Sequence, residues 1–243
     1  MDRRVRLREQ KTYTLEDFLE IIKILRQEDG CPWDREQTHE SLRPCMMEEA
    51  AELVSSIRIF GQTGDAENMR EELGDILLQV VMHSEIASEE GLFSWEDVVQ
   101  IVSEKMVRRH PHVFGDVVAD NSNTVLRNWD DIKKIEKEGK EWIESPLREI
   151  PYELPSLTRA PKIRKKIDKL YQKEASAQES IHNIQTMAAD LEKEQNPEEI
   201  QRTIGEILWD LSNISRVYRI PQEQVLNDKI EDMIDFYEGP NKK

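Results

Sequence analysis

Alternation of apolar and polar residues with a period of two is missing from this sequence, which excludes a fold built on half-buried strands. No apolar run approaches the ~18 residues that suggest a membrane-spanning helix. The opening stretch, MDRRVRLREQ, lacks the apolar core of a secretory leader, so neither a leader nor a membrane anchor is expected. Glycine is scarce, at nine residues, while more than a third of the chain is charged, and that balance favours helices over sheet. Two cysteines, Cys31 and Cys45, are too few for a disulfide framework and fit a reducing compartment. Positive charge is in deficit. A formal net charge of −16 argues against a general nucleic-acid binder, since phosphate backbones need a basic face. The expectation is a cytoplasmic protein with no membrane or nucleic-acid partner. An acidic protein can still handle phosphates when a divalent cation mediates the contact.

What the chain does contain is helix signals. Thr14, with Asp17 three residues on, starts a helix running to Gln27. Pro44 sits in the first turn of a second helix, through MMEEAAELVSSIRIF. The segment GQTGD (61–65) reverses the chain into a third, Ala66 to Glu89, stopped by Gly91. Ser94 and Asp97 open a fourth that ends in RRHPH, and a fifth covers Val125 to Glu138. Pro146, Pro151 and Pro155 mark 139–156 as a linker. Beyond it lie helices near 157–170, 174–195, 198–216 and 222–237, with Asn196–Pro197 and Pro221 starting the last two. The chain also repeats itself: EELGDILLQVV (71–81) is echoed by RTIGEILWDLS (202–212), and SEKMVRR (103–109) by NDKIEDM (227–233). Two echoes in the same order suggest a duplicated helical unit. The organisation expected is all-α, with a unit at 1–138, a linker at 139–156 and a second unit at 157–243.

The first unit carries acids in a telling pattern. Glu49 and Glu52 stand three residues apart on one helix, and Glu72 and Asp75 repeat that spacing on the next. If the intervening segment folds the helices back to back, both pairs lie about 10–12 Å from the turn at 1.5 Å per residue. Packed axes are about 8–10 Å apart, so four carboxylates can converge on the gap. Oxygen-only donors select hard cations such as Mg²⁺ or Mn²⁺. The same acids also fit an ordinary solvated face, although the small residues Ala50 and Ala51 between them allow close approach. Along the third helix, Leu73, Ile76, Leu77, Val80 and Val81 form an apolar stripe, with Glu72, Asp75 and Gln79 on its border.

In combination and order, CPWDREQTHESLRP, EEAAEL, EELGDILLQVV and EKMVRRHPHVFGD resemble the MazG family of nucleoside triphosphate pyrophosphohydrolases. The family's EExxE, spacer, ExxD pattern is similar to Glu48, Glu49 and Glu52, nineteen residues, then Glu72 and Asp75. The likeness is strong over about 13–138 and weak over 157–238. It implies an all-α fold that hydrolyses nucleoside triphosphates to monophosphate and pyrophosphate with Mg²⁺, in a homodimer or larger oligomer. Two departures stand out: the family usually has tyrosine at Cys45, and often at Ala51. In two-unit members the C-terminal unit carries its own acids, whereas here His182, Gln185 and Thr203 replace three of them and only Glu206 remains.

On that likeness, Glu49, Glu52, Glu72 and Asp75 are the metal ligands and catalytic set; Glu48, a base or outer ligand by the same likeness, projects off their face at 100° per residue and reads as a solvated glutamate. Lys105, Arg108 and Arg109 along one helix would neutralise the triphosphate, or else complement the helix C-terminus. Trp33 either stacks on a nucleobase or anchors its loop on the core. Asp34 is assigned to a helix cap rather than a ribose. His110 and His112, flanking Pro111, are loop residues. Asn213 and Lys229 are remnants of a family pattern, and Asp232 and Met233 stand where the first unit has Arg108 and Arg109. The functional expectation is a Mg²⁺-dependent pyrophosphohydrolase whose N-terminal unit is catalytic and whose second unit is degenerate. Its rivals are narrower nucleotide specificity, such as dUTP, and a non-catalytic dimerisation or regulatory module.

Overall fold

Both capping boxes form in the computed structural model. Thr14 Oγ1 accepts the Asp17 N–H at 3.2 Å and Asp17 Oδ2 accepts the Thr14 N–H at 3.0 Å. Ser94 and Asp97 exchange the same pair at 3.2 and 2.8 Å. Each box satisfies two N–H groups that a helix start leaves unpaired, which fixes where the helix begins. The structure describes residues 2–116, 145–173 and 175–239, together with Asn121, Val125, Trp129, Ile132 and Glu136. Among the described residues there is no strand.

The chain divides into two units, Met1–Glu136 and Lys137–Lys243. In the first, α1 (Arg3–Glu9), α2 (Leu15–Arg26) and α3 (Pro32–Glu36) precede a long hairpin, α4 (Arg43–Thr63) and α5 (Glu67–Glu89). Then come α6 (Trp95–Arg109) and a single turn, α7 (Pro111–Phe114). The core is Ile22 of α2 with Leu42, Val81, Met82 and Ile86, edged by Phe18, Leu19, Cys45 and Trp95. It therefore sits against the C-terminal half of α5. Helix α5 also packs along α4.

The second unit has α8 (Ser156–Tyr171), α9 (Ala177–Leu191), α10 (Pro197–Tyr218) and α11 (Gln222–Glu238). Its α9–α10 hairpin packs as extensively as α4–α5. The centre is polar: Asp210 accepts from Arg164 Nη2 at 2.9 Å, Ser180 Oγ at 3.1 Å and Asn183 Nδ2 at 3.2 Å. Asn213, fully buried, donates to Ser180 Oγ at 3.0 Å and accepts from Arg216 at 2.7 Å. A buried polar group with its partners in place holds one packing register.

Some expectations need correction. Gly61–Thr63 are not part of the reversal but the last turn of α4, and the chain turns only at Gly64–Ala66. Gly64 has φ +75°, a conformation glycine adopts without the Cβ clash other residues suffer. Helices α1 and α3 were not anticipated. His112 lies in α7 rather than in a loop, because Pro111 occupies the first position of that turn. Helix α9 starts at Ala177 rather than 174, where the Ser176 hydroxyl accepts the Glu179 N–H at 3.1 Å. Of the helix expected over Val125 to Glu138, Val125, Trp129 and Ile132 are helical and Glu136 sits in a turn. The other residues of that stretch, like 139–144 of the linker, lie outside the described residues.

Candidate metal centre

The short turn at Gly64 sets the register of the α4–α5 hairpin. Asp65 Oδ1 accepts the Glu67 N–H at 3.0 Å, so α5 starts at once. In this register one carboxylate oxygen from each of Glu49, Glu72 and Asp75 lies within 4.8 Å of the others. Glu72 is only 7% exposed, and its Oε2 is buried without a hydrogen-bond partner. Glu49 and Asp75 are half-buried, whereas Glu52 and Glu48 are exposed and outside the tight group. Among the described residues, this is the one group of three or more acids, histidines or cysteines able to share an ion.

The electrostatics are those of crowded, partly desolvated carboxylates. Burial pushes the Glu72 carboxyl above its ordinary range, and the charges of Glu52 and Asp75 push it further. Glu49 moves the same way, through burial and then Asp75 and Glu52. Glu52 thus belongs to the field of the site although its oxygens stand apart. Oxygens on opposite sides of a Mg²⁺ ion lie about 4 Å apart, twice the ~2.0–2.1 Å bond length. Three oxygens within 4.8 Å need little movement to close on such an ion. Hard oxygen donors, a buried orphan oxygen and mutual repulsion all fit Mg²⁺ or Mn²⁺.

The border of acids proves to be an interior. Glu72 and Gln79 are buried, at 7% and 6% exposure, while Leu73 and Leu77 of the expected stripe are exposed. Only Val81 of that stripe is fully buried. The face of α5 bearing the acids is the one turned into the hairpin. Leu73 and Leu77 face outward, as do Val54, Ile57 and Phe60 of α4.

Trp33 does not anchor its loop on the core, since it is 60% exposed on α3. The anchor is Arg26, which donates to the carbonyls of Asp34 at 2.6 Å and Gln37 at 3.2 Å while pairing with Glu89. Gly30 permits the tight entry to this segment, because a Cβ there would collide with the carbonyls of Ile24 and Leu25. The cap expected of Asp34 falls instead to Cys31, which makes no side-chain cap bond. Lys105 is half-buried on α6, which packs along α5, and makes no ion pair among the described residues. Arg108 and Arg109 are both engaged by Glu136, at 2.6 and 2.5 Å, and Arg109 lies 5.3 Å from the Trp129 ring centroid.

Sequence reasoning passed over Glu136, Arg26 and a stacked pair, His39 and His83, with Nδ1 atoms 2.8 Å apart. Those partners are 27 to 63 residues apart in the chain, and no spacing rule reveals them. In the second unit His182, Gln185 and Glu206 are exposed, and Thr203 Oγ1 donates to the Glu199 carbonyl at 2.8 Å. Asn213 serves packing, as its buried bonds show.

Residues 37–114 match the MazG nucleotide pyrophosphohydrolase domain. That span takes in Glu49, Glu52, Glu72 and Asp75 and the cations of α6, and leaves Trp33 just outside. A Thermotoga maritima protein, nucleoside triphosphate pyrophosphohydrolase/pyrophosphatase MazG, is 36% identical over 211 residues, 87% of this chain and 79% of that protein. The chain belongs to the MazG family. Other relatives place it within a varied group. The Escherichia coli K12 nucleoside triphosphate pyrophosphohydrolase is 35% identical over 235 residues, covering 89% of this chain and 84% of that protein. Uncharacterized protein YabN of Bacillus subtilis is 39% identical over 236 residues, 93% of this chain, which spans only 46% of YabN. Among the described residues no helix is long and apolar enough to cross a membrane.

Proposed function

We propose that this MazG-family chain hydrolyses nucleoside triphosphates to nucleoside monophosphate and pyrophosphate, with Mg²⁺ or Mn²⁺, through its N-terminal unit. The observation that carries this reading is the convergence of Glu49, Glu72 and Asp75, one carboxylate oxygen of each within 4.8 Å of the others, with the Glu72 Oε2 buried and unpartnered. The names borne by the Thermotoga and Escherichia relatives support the reaction class. Glu49, Glu72 and Asp75 hold the cation, and Glu52 adds charge and a further oxygen from the open side. Bound there, a divalent ion supplies charge neutralisation at the phosphoryl oxygens and makes a water more acidic. The water oxygen ends on one product while the anhydride bond between the α and β phosphoryl groups breaks.

Lys105 contributes positive charge toward the triphosphate, and Arg108 and Arg109 do so by exchanging Glu136 for phosphate oxygens. Trp33, exposed on a segment pinned by Arg26, offers a face on which any nucleobase can stack. The catalytic unit comprises 1–138, joined by 139–156 to a structural unit at 157–243 that has lost the acids. The exposed Val54, Ile57, Phe60, Leu73 and Leu77 form a face that a second copy would cover, giving a homodimer in the cytoplasm.

Pyrophosphate release measured over the common ribo- and deoxyribonucleoside triphosphates, with and without Mg²⁺, tests the reading. Metal-dependent release from several nucleotides is expected. Release from one alone would narrow the substrate class, and no release from any would leave a non-catalytic helical module.

A further inference from the structure

The α5 face turned into the hairpin carries a polar side chain, Gln79, that the proposed reaction has not used. Gln79 follows Asp75 by four residues and Glu72 by seven. At 100° per residue it projects within about 40° of the first and about 20° of the second. It is 6% exposed, and its Oε1 is buried with no hydrogen-bond partner. An amide oxygen sealed from water and left unpaired is unfavourable, and such atoms are rare in folded proteins. Gln79 is thus a second orphan acceptor on the face that holds Glu72 and Asp75.

The repeat sharpens the contrast. In the register that aligns Gly74 with Gly205, Gln79 corresponds to Asp210. Asp210 is closed by its own unit, through Arg164, Ser180 and Asn183. The polar position is therefore satisfied internally where the acids are lost and left open where they are present. What fills it must donate a proton. Carboxylates that hold a cation have none to give, and neither has a triphosphate chain ionised at neutral pH. The waters around a divalent cation do, and Mg²⁺ keeps several of them when bound by carboxylates. Gln79 lies about 6 Å along the helix beyond Asp75 at 1.5 Å per residue, a span that one side chain and one water can bridge.

We infer that Gln79 is a positioning residue whose Oε1 accepts a hydrogen bond from the hydration shell of the cation held by Glu49, Glu72 and Asp75. The inference rests on the metal-centre reading above. Outer groups of this kind typically change metal affinity by about 10–100-fold when removed.

The test is Mn²⁺ binding, followed by electron paramagnetic resonance and by thermal unfolding, in wild type, Gln79→Met, Gln79→Glu and Asp75→Asn. Methionine keeps the volume and removes the acceptor. Gln79→Met should bind Mn²⁺ about 10–100-fold more weakly and show a smaller metal-induced rise in Tm. Its Tm without metal should not fall, because an unpaired buried oxygen is gone. Gln79→Glu, which keeps an acceptor in place, should bind at least as tightly as wild type. Binding within twofold of wild type by Gln79→Met, or a lower metal-free Tm with an unchanged metal response, would overturn the role. If Gln79→Met does not fold, Gln79→Glu decides, since weakened Mn²⁺ binding there contradicts an acceptor function. Failure of the underlying reading looks different: wild type and Asp75→Asn would then bind Mn²⁺ alike or not at all.

Discussion

Arg109 is tied to Glu136 through two bonds to one carboxylate oxygen, Nη2 to Oε2 at 2.5 Å and Nε to Oε2 at 3.1 Å. Arg108 reaches the other oxygen at 2.6 Å, so a single acid occupies two of the three cations assigned to the triphosphate. The hydrogen bonds from Arg109 and then Arg108 hold the Glu136 carboxyl down at about 2, from an ordinary 4.5.

Glu136→Gln should therefore act on substrate affinity and on acid stability in opposite senses. Freed arginines no longer exchange a carboxylate for phosphate, so KM should fall severalfold with kcat little changed. A depressed carboxyl stabilises the fold above its unfolded pKa, and that contribution is lost as pH falls from 4.5 through about 2. The variant should be less stable near neutrality and lose less stability over that window. Thermal unfolding from pH 6 to pH 2 checks the sign, and parallel curves for both proteins would count against it.

Glu49 and Glu72 make the opposite prediction for the metal centre. Their carboxyls are raised, so in the metal-free protein they favour stability at low pH, and that contribution is lost as pH rises through the raised values. Millimolar Mg²⁺ should raise Tm most near neutrality, where the acids are ionised and repel. The rise should shrink as pH drops and protons compete for the same oxygens. A metal-induced shift that does not change between pH 8 and pH 5 would contradict this.

A change at Arg26 would separate the proposed base contact at Trp33 from the proposed metal site. The Arg26 side chain is 5% exposed and bonds Glu89 at 2.9 and 2.7 Å as well as two carbonyls of the Trp33 segment. Arg26→Met should cost about 2–3 kcal/mol, since Glu89 is half-exposed and regains water. It should raise KM for nucleotide by loosening Trp33 while the Mg²⁺-induced rise in Tm stays intact. Urea unfolding and a KM measurement on the folded variant test both parts. An unchanged KM would detach Trp33 from substrate binding.

Local chemistry made much of this architecture readable. Thr14–Asp17 and Ser94–Asp97 mark helix starts because capping boxes are satisfied within four residues. Pairs three residues apart mark one face of each helix for the same reason, and the fold brings Glu49, Glu72 and Asp75 together there while Glu52 of the same pattern stays exposed outside the group. Helix α3 escaped notice because its cap, Cys31, offers no side-chain bond and the helix is only five residues long. The burial of Glu72 and Gln79 in place of Leu73 and Leu77 was not legible. Periodicity identifies a face but not which neighbour covers it, and here α4 covers the polar side. Glu136 and Arg26 act on partners distant in the chain, which only the tertiary fold brings together.

The central claim, that chemistry belongs to the first unit's acids, is tested most directly by pyrophosphate release from Glu72→Gln and Glu206→Gln in the full chain. Glu72 is buried beside Glu49 and Asp75, and its amide would keep the shape without the charge that a hard cation needs. Glu206 is exposed on α10 and, among the described residues, belongs to no group of acids able to share an ion. The account predicts that folded Glu72→Gln loses Mg²⁺-dependent release by at least ~100-fold, in the range that loss of a key electrostatic group produces. Glu206→Gln should stay within about twofold of wild type, as surface changes remote from a site do. Loss of release in Glu206→Gln with retention in Glu72→Gln would place the active site in the other half of the chain.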